Sequence, residues 1–329
     1  MNKESKTVEL VERKKLLNEE LMKHYNPNSK YDYCVLFSGG KDSTYLACKM
    51  KEMIGGRVCL LTVDNGFEDK NFLERAKEVA KSLDLPHYII STKEGEIEGL
   101  FNFVVKEPKL REVDSNCICY YCGQFIMKMG IRFAEENNIP VVIHGMSPTQ
   151  YNLPDNLLKD KVNKHVFTRN LQLLEFYRKK NLQSVYSIAK SLDKYKIDKD
   201  KKRIMDDVFY ESNKVKMIIP FQYLDYDIVE IKKYIKEKLN WTNPFGISDD
   251  LYISSGCRMF EILLLMEKKI PGFKVHERKE FEKDMKDGKV NKEAYDYAMK
   301  TAETVSNQTE ITKDMFDLIK RIGLEEELL

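Results

Sequence analysis

The chain reads as an α/β protein: a doubly wound parallel sheet with a helical insertion and a helical C-terminal part. Two observations predict this. Apolar runs at residues 31–37, 57–63 and 140–143 show no period-two alternation, as expected of strands buried on both faces of a parallel sheet. Patterns of helical period separate them, so strands and helices alternate and the crossovers are right-handed.

Taken in order, residues 1–30 mix Glu, Lys and Arg with Leu10, Leu17 and Leu21 and read as a charged helix. They lack the apolar stretch of a signal peptide. The first strand, 31–37, runs into Ser38-Gly39-Gly40-Lys41-Asp42-Ser43. Leu46, Ala47, Met50, Met53 and Ile54 then recur at helical spacing, and Gly55-Gly56 closes that helix. The second strand ends in Asp64-Asn65-Gly66. Phe72, Leu73, Ala76, Val79, Ala80 and Leu83 mark one face of the next helix, Pro86 stops it, and residues 87–91 resume as strand. A helix over 121–137, carrying Phe125, Ile126, Met129, Phe133 and Ala134, leads into the strand that ends at His144-Gly145.

From 153 to 214 the composition shifts to Lys, Asp, Asn, Gln and Tyr, which predicts a helical insertion. Acids interleave with its lysines, so a solvated surface fits better than a nucleic-acid stripe. The sheet pattern returns at 215–220, and a helix with Ile228, Ile231 and Ile235 leads to Trp241, read as an anchor between insertion and core. The tail from 271 is charged and helical in character. The expected divisions are 1–30, 31–152, 153–214, 215–270 and 271–329.

Of the 329 residues, 33% are charged, and the net charge of +2 gives no global field for nucleic acid or membrane. No run approaches the ~18 apolar residues of a membrane span. A cytoplasmic location is expected. Seven cysteines in a reducing compartment do not make a disulfide framework. Cys34, Cys48 and Cys59 fall on predicted strands or the first core helix and read as small buried hydrophobes.

Strand, glycine-rich turn and helix start form an anion cradle. Backbone N–H groups and the positive end of the helix dipole converge there, and glycine allows close approach to a phosphate. The Walker pattern does not fit, because Gly40-Lys41 is followed by Asp42 with no glycine at the required distance upstream. Ser38-Gly39-Gly40-Lys41-Asp42-Ser43 instead resembles the signature of the PP-loop ATP pyrophosphatases. That resemblance implies a HUP/Rossmann-like fold and cleavage of ATP between the α and β phosphates, leaving AMP on an oxygen of the substrate.

Phe37, the Gly39 and Gly40 amides and the Ser38 and Ser43 hydroxyls are then the expected phosphate contacts. Lys41 neutralises the departing pyrophosphate, and Asp42 holds Mg2+ or acts through the loop. The resemblance places adenine near Thr62, Val63 and Asp64; Asp64 reads equally as a turn former. His144 and Gly145 end the later strand on the same side and join the nucleotide-binding set, although a histidine there also suits a structural role.

A second constellation is Cys117-Ile118-Cys119-Tyr120-Tyr121-Cys122-Gly123, with Cys257 in Ser255-Gly256-Cys257-Arg258 far downstream. A Cys-x-x-Cys at a helix start presents two thiols on one side, and thiolates bind soft metals. Residues 31–257, without the insertion, resemble PP-loop enzymes that thiolate tRNA bases through an iron–sulfur cluster. Cys119, Cys122 and Cys257 stand at the matching metal-binding positions. Cys117 is expected as a catalytic persulfide carrier, a fourth ligand or a free thiol.

More loosely, Tyr223-Leu224-Asp225-Tyr226, Leu239-Asn240-Trp241 and residues 287–294 are similar to PP-loop amidotransferases of N-acetyl sugars. The reaction expected is adenylation of a carbonyl oxygen, then displacement of AMP. Sulfur is the first choice of nucleophile. Ammonia from a partner glutaminase, with structural zinc on the cysteines, is the second, and a non-catalytic nucleotide sensor the third. The acceptor class stays open among tRNA, sugar and small natural product, with a sulfur donor or a glutaminase as the partner.

Overall fold

The computed structural model describes residues 3–54, 57–108, 117–146, 212–242, 257–273, 275, 285–286, 292, 296, 300 and 311–329. All but the last three residues of the expected insertion lie outside the described residues.

Five parallel strands form one sheet: β1 (Tyr33–Leu36), β2 (Val58–Asp64), β3 (His87–Ser91), β4 (Val141–Ile143) and β5 (Lys216–Ile218), in the order β3-β2-β1-β4-β5. The chain winds outward from β1 to β3, then returns beside β1 and winds the other way. The order therefore reverses between β1 and β4, the place where open α/β sheets open a ligand crevice at the strands' carboxyl ends. Register follows the pleat, with Cys34 beside Cys59 and Val142.

The helices are α1 (Lys3–Met22), α2 (Lys41–Ile54), α3 (Lys70–Ser82), α4 (Glu96–Lys106), α5 (Cys117–Glu136), α6 (Ile228–Leu239), α7 (Phe260–Lys269), α8 (Lys313–Ile322) and α9 (Glu325–Leu328). Tyr33, Val35 and Phe37 face one apolar layer with Leu17 and Leu21 of α1, Leu46 and Met50 of α2, Ala76 and Val79 of α3, and Ile231 and Ile235 of α6. Cys34, Leu36, Cys59 and Leu61 point the other way, onto Met127, Ile131 and Ala134 of α5. The alternation is the period-two pleat of strands covered on both faces. Cys34, Cys48 and Cys59 are buried; the Cys34 thiol is pushed well up by its hydrogen bond to Cys59 and by burial.

A third cluster flanks the sheet. It joins Phe67, α4, the first half of α5, α7, α8 and α9. The helix α4 has no counterpart in the sequence reading, although Ile97, Leu100, Phe101, Val104 and Val105 recur at helical spacing. The structure also starts α5 four residues before the expected position 121. Ile118 and Tyr121, 2% and 0% exposed, pack into the flanking cluster, and that packing outweighs the weak helix propensity of the Cys-Ile-Cys-Tyr stretch. Among the described residues no helix is long and apolar enough to cross a membrane.

Candidate nucleotide site

The turn between β1 and α2 is built by short local bonds. Gly39 sits at φ +78°, and a methyl group on it would lie 2.9 Å from Ala76 Cα of α3. Only glycine meets both conditions. The Ser43 hydroxyl donates to Gly40 O at 3.2 Å and accepts from Ser38 N at 3.2 Å, while Gly40 N donates to Ser38 Oγ at 3.3 Å. The two serine hydroxyls lie 3.2 Å apart. Three of the groups expected to meet phosphate oxygens, the Gly40 amide and the two serine hydroxyls, are thus linked within one turn.

The helix ladder begins with Thr44 N donating to Gly40 O at 2.9 Å. The amides just before it, at the N-terminus of α2, have no partner one turn back along the helix. Gly145 comes within 3.6 Å of Ser43 N when given a methyl group, so the end of β4 adjoins this helix start across the switch point.

Lys41 and Asp42 open α2 rather than lying in an exposed loop, with side chains 18% and 22% exposed. Lys41 Nζ donates to Asp42 Oδ2 at 2.7 Å and to the Tyr226 hydroxyl at 3.4 Å. Asp42 Oδ1 is buried and has no hydrogen-bond partner in the described structure. An orphaned carboxylate oxygen beside a phosphate cradle fits Mg2+, a hard cation that takes oxygen ligands from one or two carboxylates and from phosphates.

Thr62 faces inward: its hydroxyl donates to Phe37 O at 2.5 Å and lies 2.7 Å from His87 Nε2. The expected adenine contacts at Thr62, Val63 and Asp64 are backbone groups in the last three residues of β2. Asp64 Oδ1 accepts from Gly66 N at 2.8 Å, as in the turn-forming reading. His144 keeps a partly exposed edge while its Nδ1 is buried without a partner; burial lowers its pKa to about 4, so the ring is neutral at pH 7. Its backbone N–H donates to Ile218 O at 2.9 Å, tying β4 to β5.

The cysteines gather around the segment after β2. Asn65 Nδ2 donates to Cys122 Sγ at 3.4 Å, and Asn65 Oδ1 accepts from Phe67 N at 2.9 Å. Cys257 forms an antiparallel bridge with Glu68, and Arg258 N donates to Phe67 O at 2.8 Å. Cys119 and Cys122, one helical turn apart on α5, pack with Cys257 against the flanking cluster. Burial pushes the Cys122 thiol up to about 12. Burial, with Asp64 and Asp69 nearby, raises Glu68 to about 7. Among the described residues no three of His, Cys, Asp and Glu are grouped so as to hold a metal ion. The three thiols share a neighbourhood without forming a ligand set. Nothing is described of the Cys117 side chain.

Sequence reasoning misses two residues that hold this region. Arg321 of α8 donates to Gly66 O at 2.7 Å and to Glu98 at 2.7 Å, with its guanidinium 4.1 Å over the Phe67 ring. Tyr226 meets Lys41 from the segment after β5. Both lie more than 180 residues from their partners, a separation at which no local pattern signals contact. Trp241 anchors to the phosphate turn itself, its indole N–H donating to Gly39 O at 3.2 Å.

Residues 32–172 match the family model described as "Queuosine biosynthesis protein QueC". One of the subunits of the glutamine-hydrolyzing GMP synthase of Saccharolobus solfataricus is 26% identical over 240 residues, which cover 65% of this chain and 62% of that protein. The chain thus spans less than two thirds of the length of that curated relative. Among solved structures, the U34-tRNA thiolase NcsA from Methanococcus maripaludis with its 4Fe-4S cluster is 14% identical, covering 91% of this chain and 80% of its own, at a TM-score of 0.41. The NH3-dependent NAD synthetase from Campylobacter jejuni is 16% identical, covering 62% and 93%, at 0.33. Scores this low carry no argument about substrate or cofactor.

Proposed function

We propose that the chain belongs to the PP-loop ATP pyrophosphatase superfamily and adenylates a carbonyl oxygen of its acceptor. The observation that supports this most is the preformed turn at Gly39-Gly40, with Lys41 and the orphaned Asp42 Oδ1 beside it, at the point where the strand order reverses. The acceptor oxygen attacks the α-phosphorus of ATP, the bond to the bridging oxygen of the β-phosphate breaks, and pyrophosphate leaves. Gly40 N–H, the α2 amides and the Ser38 and Ser43 hydroxyls bind phosphate oxygens. The Lys41 ammonium meets the charge that grows on the leaving group, and Tyr226 helps to hold it there. Asp42 would hold Mg2+, which would supply further neutralisation of that charge. Donors fixed before reaction cost no reorganisation in the transition state. Val63, Asp64, His144 and Gly145 border the adenosine side.

In the second half-reaction a nucleophile displaces AMP from the acceptor carbon. Sulfur is the first reading, because Cys122 and Cys257 meet the segment 64–69 that leaves the nucleotide edge and Cys119 packs against the same flanking cluster. No step is assigned to a metal on them. Ammonia is the second reading, favoured by the similarity to part of a glutamine-hydrolyzing synthase, and it brings in a partner glutaminase.

The test is product formation with MgATP and acceptors of the tRNA, sugar and small-molecule classes. AMP and pyrophosphate should appear together. Lys41→Ala and Asp42→Ala should each cut turnover by about 10²–10³ while stability changes by less than about 1 kcal/mol. ADP and phosphate as products would refute the reading. Anaerobic purification with metal analysis separates the branches: iron favours sulfur transfer, zinc favours amidation.

A further inference from the structure

We propose that Trp241 is a positioning residue for the phosphate turn, one that orients the peptide between Gly39 and Gly40. This rests on the nucleotide reading of that turn. Trp241 follows Asn240, the residue that ends α6 at φ +51°, and the reversal there sends the indole under the turn, where it is 1% exposed. Its Nε1–H donates to Gly39 O at 3.2 Å, and Thr44 Oγ1 donates to the same oxygen at 3.2 Å. Two donors therefore hold both lone pairs of one carbonyl.

None of the described peptide bonds is cis, so the Gly39 C=O and the Gly40 N–H point in opposite directions across one rigid plane. Pulling the carbonyl inward turns the Gly40 N–H outward, toward Ser38 Oγ and the phosphate space. A glycine at positive φ has little intrinsic preference to keep that plane from flipping. A flipped plane would present a carbonyl oxygen to the phosphates instead of a donor. A buried indole N–H must find an acceptor, and here that acceptor is the atom that sets the direction of the Gly39–Gly40 peptide.

The chain contains one tryptophan, which makes the test clean. The full chain is produced in a tryptophan auxotroph fed benzothienylalanine, which has the shape of tryptophan with sulfur in place of the N–H. Binding of MgATP, inorganic pyrophosphate and adenosine is measured by calorimetry, beside thermal unfolding. Thr44→Val removes the other donor and serves as a second, independent variant. In the native chain, tryptophan emission should change saturably with both MgATP and pyrophosphate. Both altered proteins should melt within a few degrees of the native one, yet bind MgATP and pyrophosphate about tenfold more weakly. Adenosine binding should hold, a split that a merely structural role would not give. Native affinity for MgATP and pyrophosphate in both altered proteins overturns the inference and leaves the nucleotide reading standing. Absence of MgATP and pyrophosphate binding by the native chain overturns both.

Discussion

The phosphate turn and the cysteine flank lie at the same end of one sheet, yet they are assembled differently. The turn is closed by bonds spanning two to five residues, among Ser38, Gly40 and Ser43, and Trp241 then clamps it from below. The flank is closed by pairs far apart in sequence: Asn65 with Cys122, Glu68 with Cys257, and Gly66 with Arg321. A site made of local bonds can form with its strand–helix unit. A site made of distant bonds depends on α5, α7 and α8 all arriving, and it reorganises when any of them shifts. We infer that the turn carries the constant chemistry of ATP cleavage and the flank the part that chooses what replaces AMP.

Gly39→Ala attacks the turn most severely. A left-handed backbone and a 2.9 Å clash with Ala76 cannot both be relieved. Loss of MgATP binding by at least about a hundredfold is expected in calorimetry, with a drop of about 1–3 kcal/mol in stability.

Acid should next distinguish the two sides. Burial holds His144 at about 4, below its ordinary 6.5, so between those values the unfolded chain binds the proton and the folded one does not. Stability therefore falls as pH drops through that window and is unaffected by this group above it. The effect is at most about 3 kcal/mol. Denaturant titrations at pH 7 and pH 4.5 should show the native chain losing more stability than His144→Gln. Equal losses would show that the ring is not held neutral.

Arg321→Ala is the corresponding cut on the flank. It removes the clamp on Gly66 and Phe67 and should cost about 1–2 kcal/mol. Conversion of acceptor should fall while pyrophosphate binding stays native. Equal loss of both would show that turn and flank are one unit. The mildest change is Gly123→Ala on α5, where an added methyl meets nothing within 4 Å. It should raise stability by about 0.5–1 kcal/mol through helix propensity alone.

Legibility in the sequence follows the same division. Three of the five strands, β1, β2 and β4, stand out because burial on both faces leaves continuous apolar runs, and the turn is readable because its residues are contiguous. Gly39, Lys41 and Asp42 can be picked out unaided, but the position of Lys41 and Asp42 inside the helix start is set by Thr44 bonding back to Gly40. The partners of the Thr62 hydroxyl, Phe37 O and His87 on the neighbouring strand, are visible only in the fold. The pattern of α4 is present in the sequence, since Ile97, Leu100, Phe101, Val104 and Val105 recur at helical spacing with Glu98, Asn102 and Lys106 between them, and only the extra buried Phe103 departs from it. The links from Arg321 to Gly66 and from Trp241 to Gly39 span 255 and 202 residues, and only packing reveals them.

The central claim is cleavage of ATP between its α and β phosphates by this turn. Phosphorus NMR of the full chain with MgATP and acceptor mixtures tests it most directly, with Lys41→Ala as the control. The account predicts AMP and pyrophosphate in equal amounts from the native protein and neither at a comparable rate from the variant. ADP with orthophosphate, or undiminished AMP from Lys41→Ala, would contradict it.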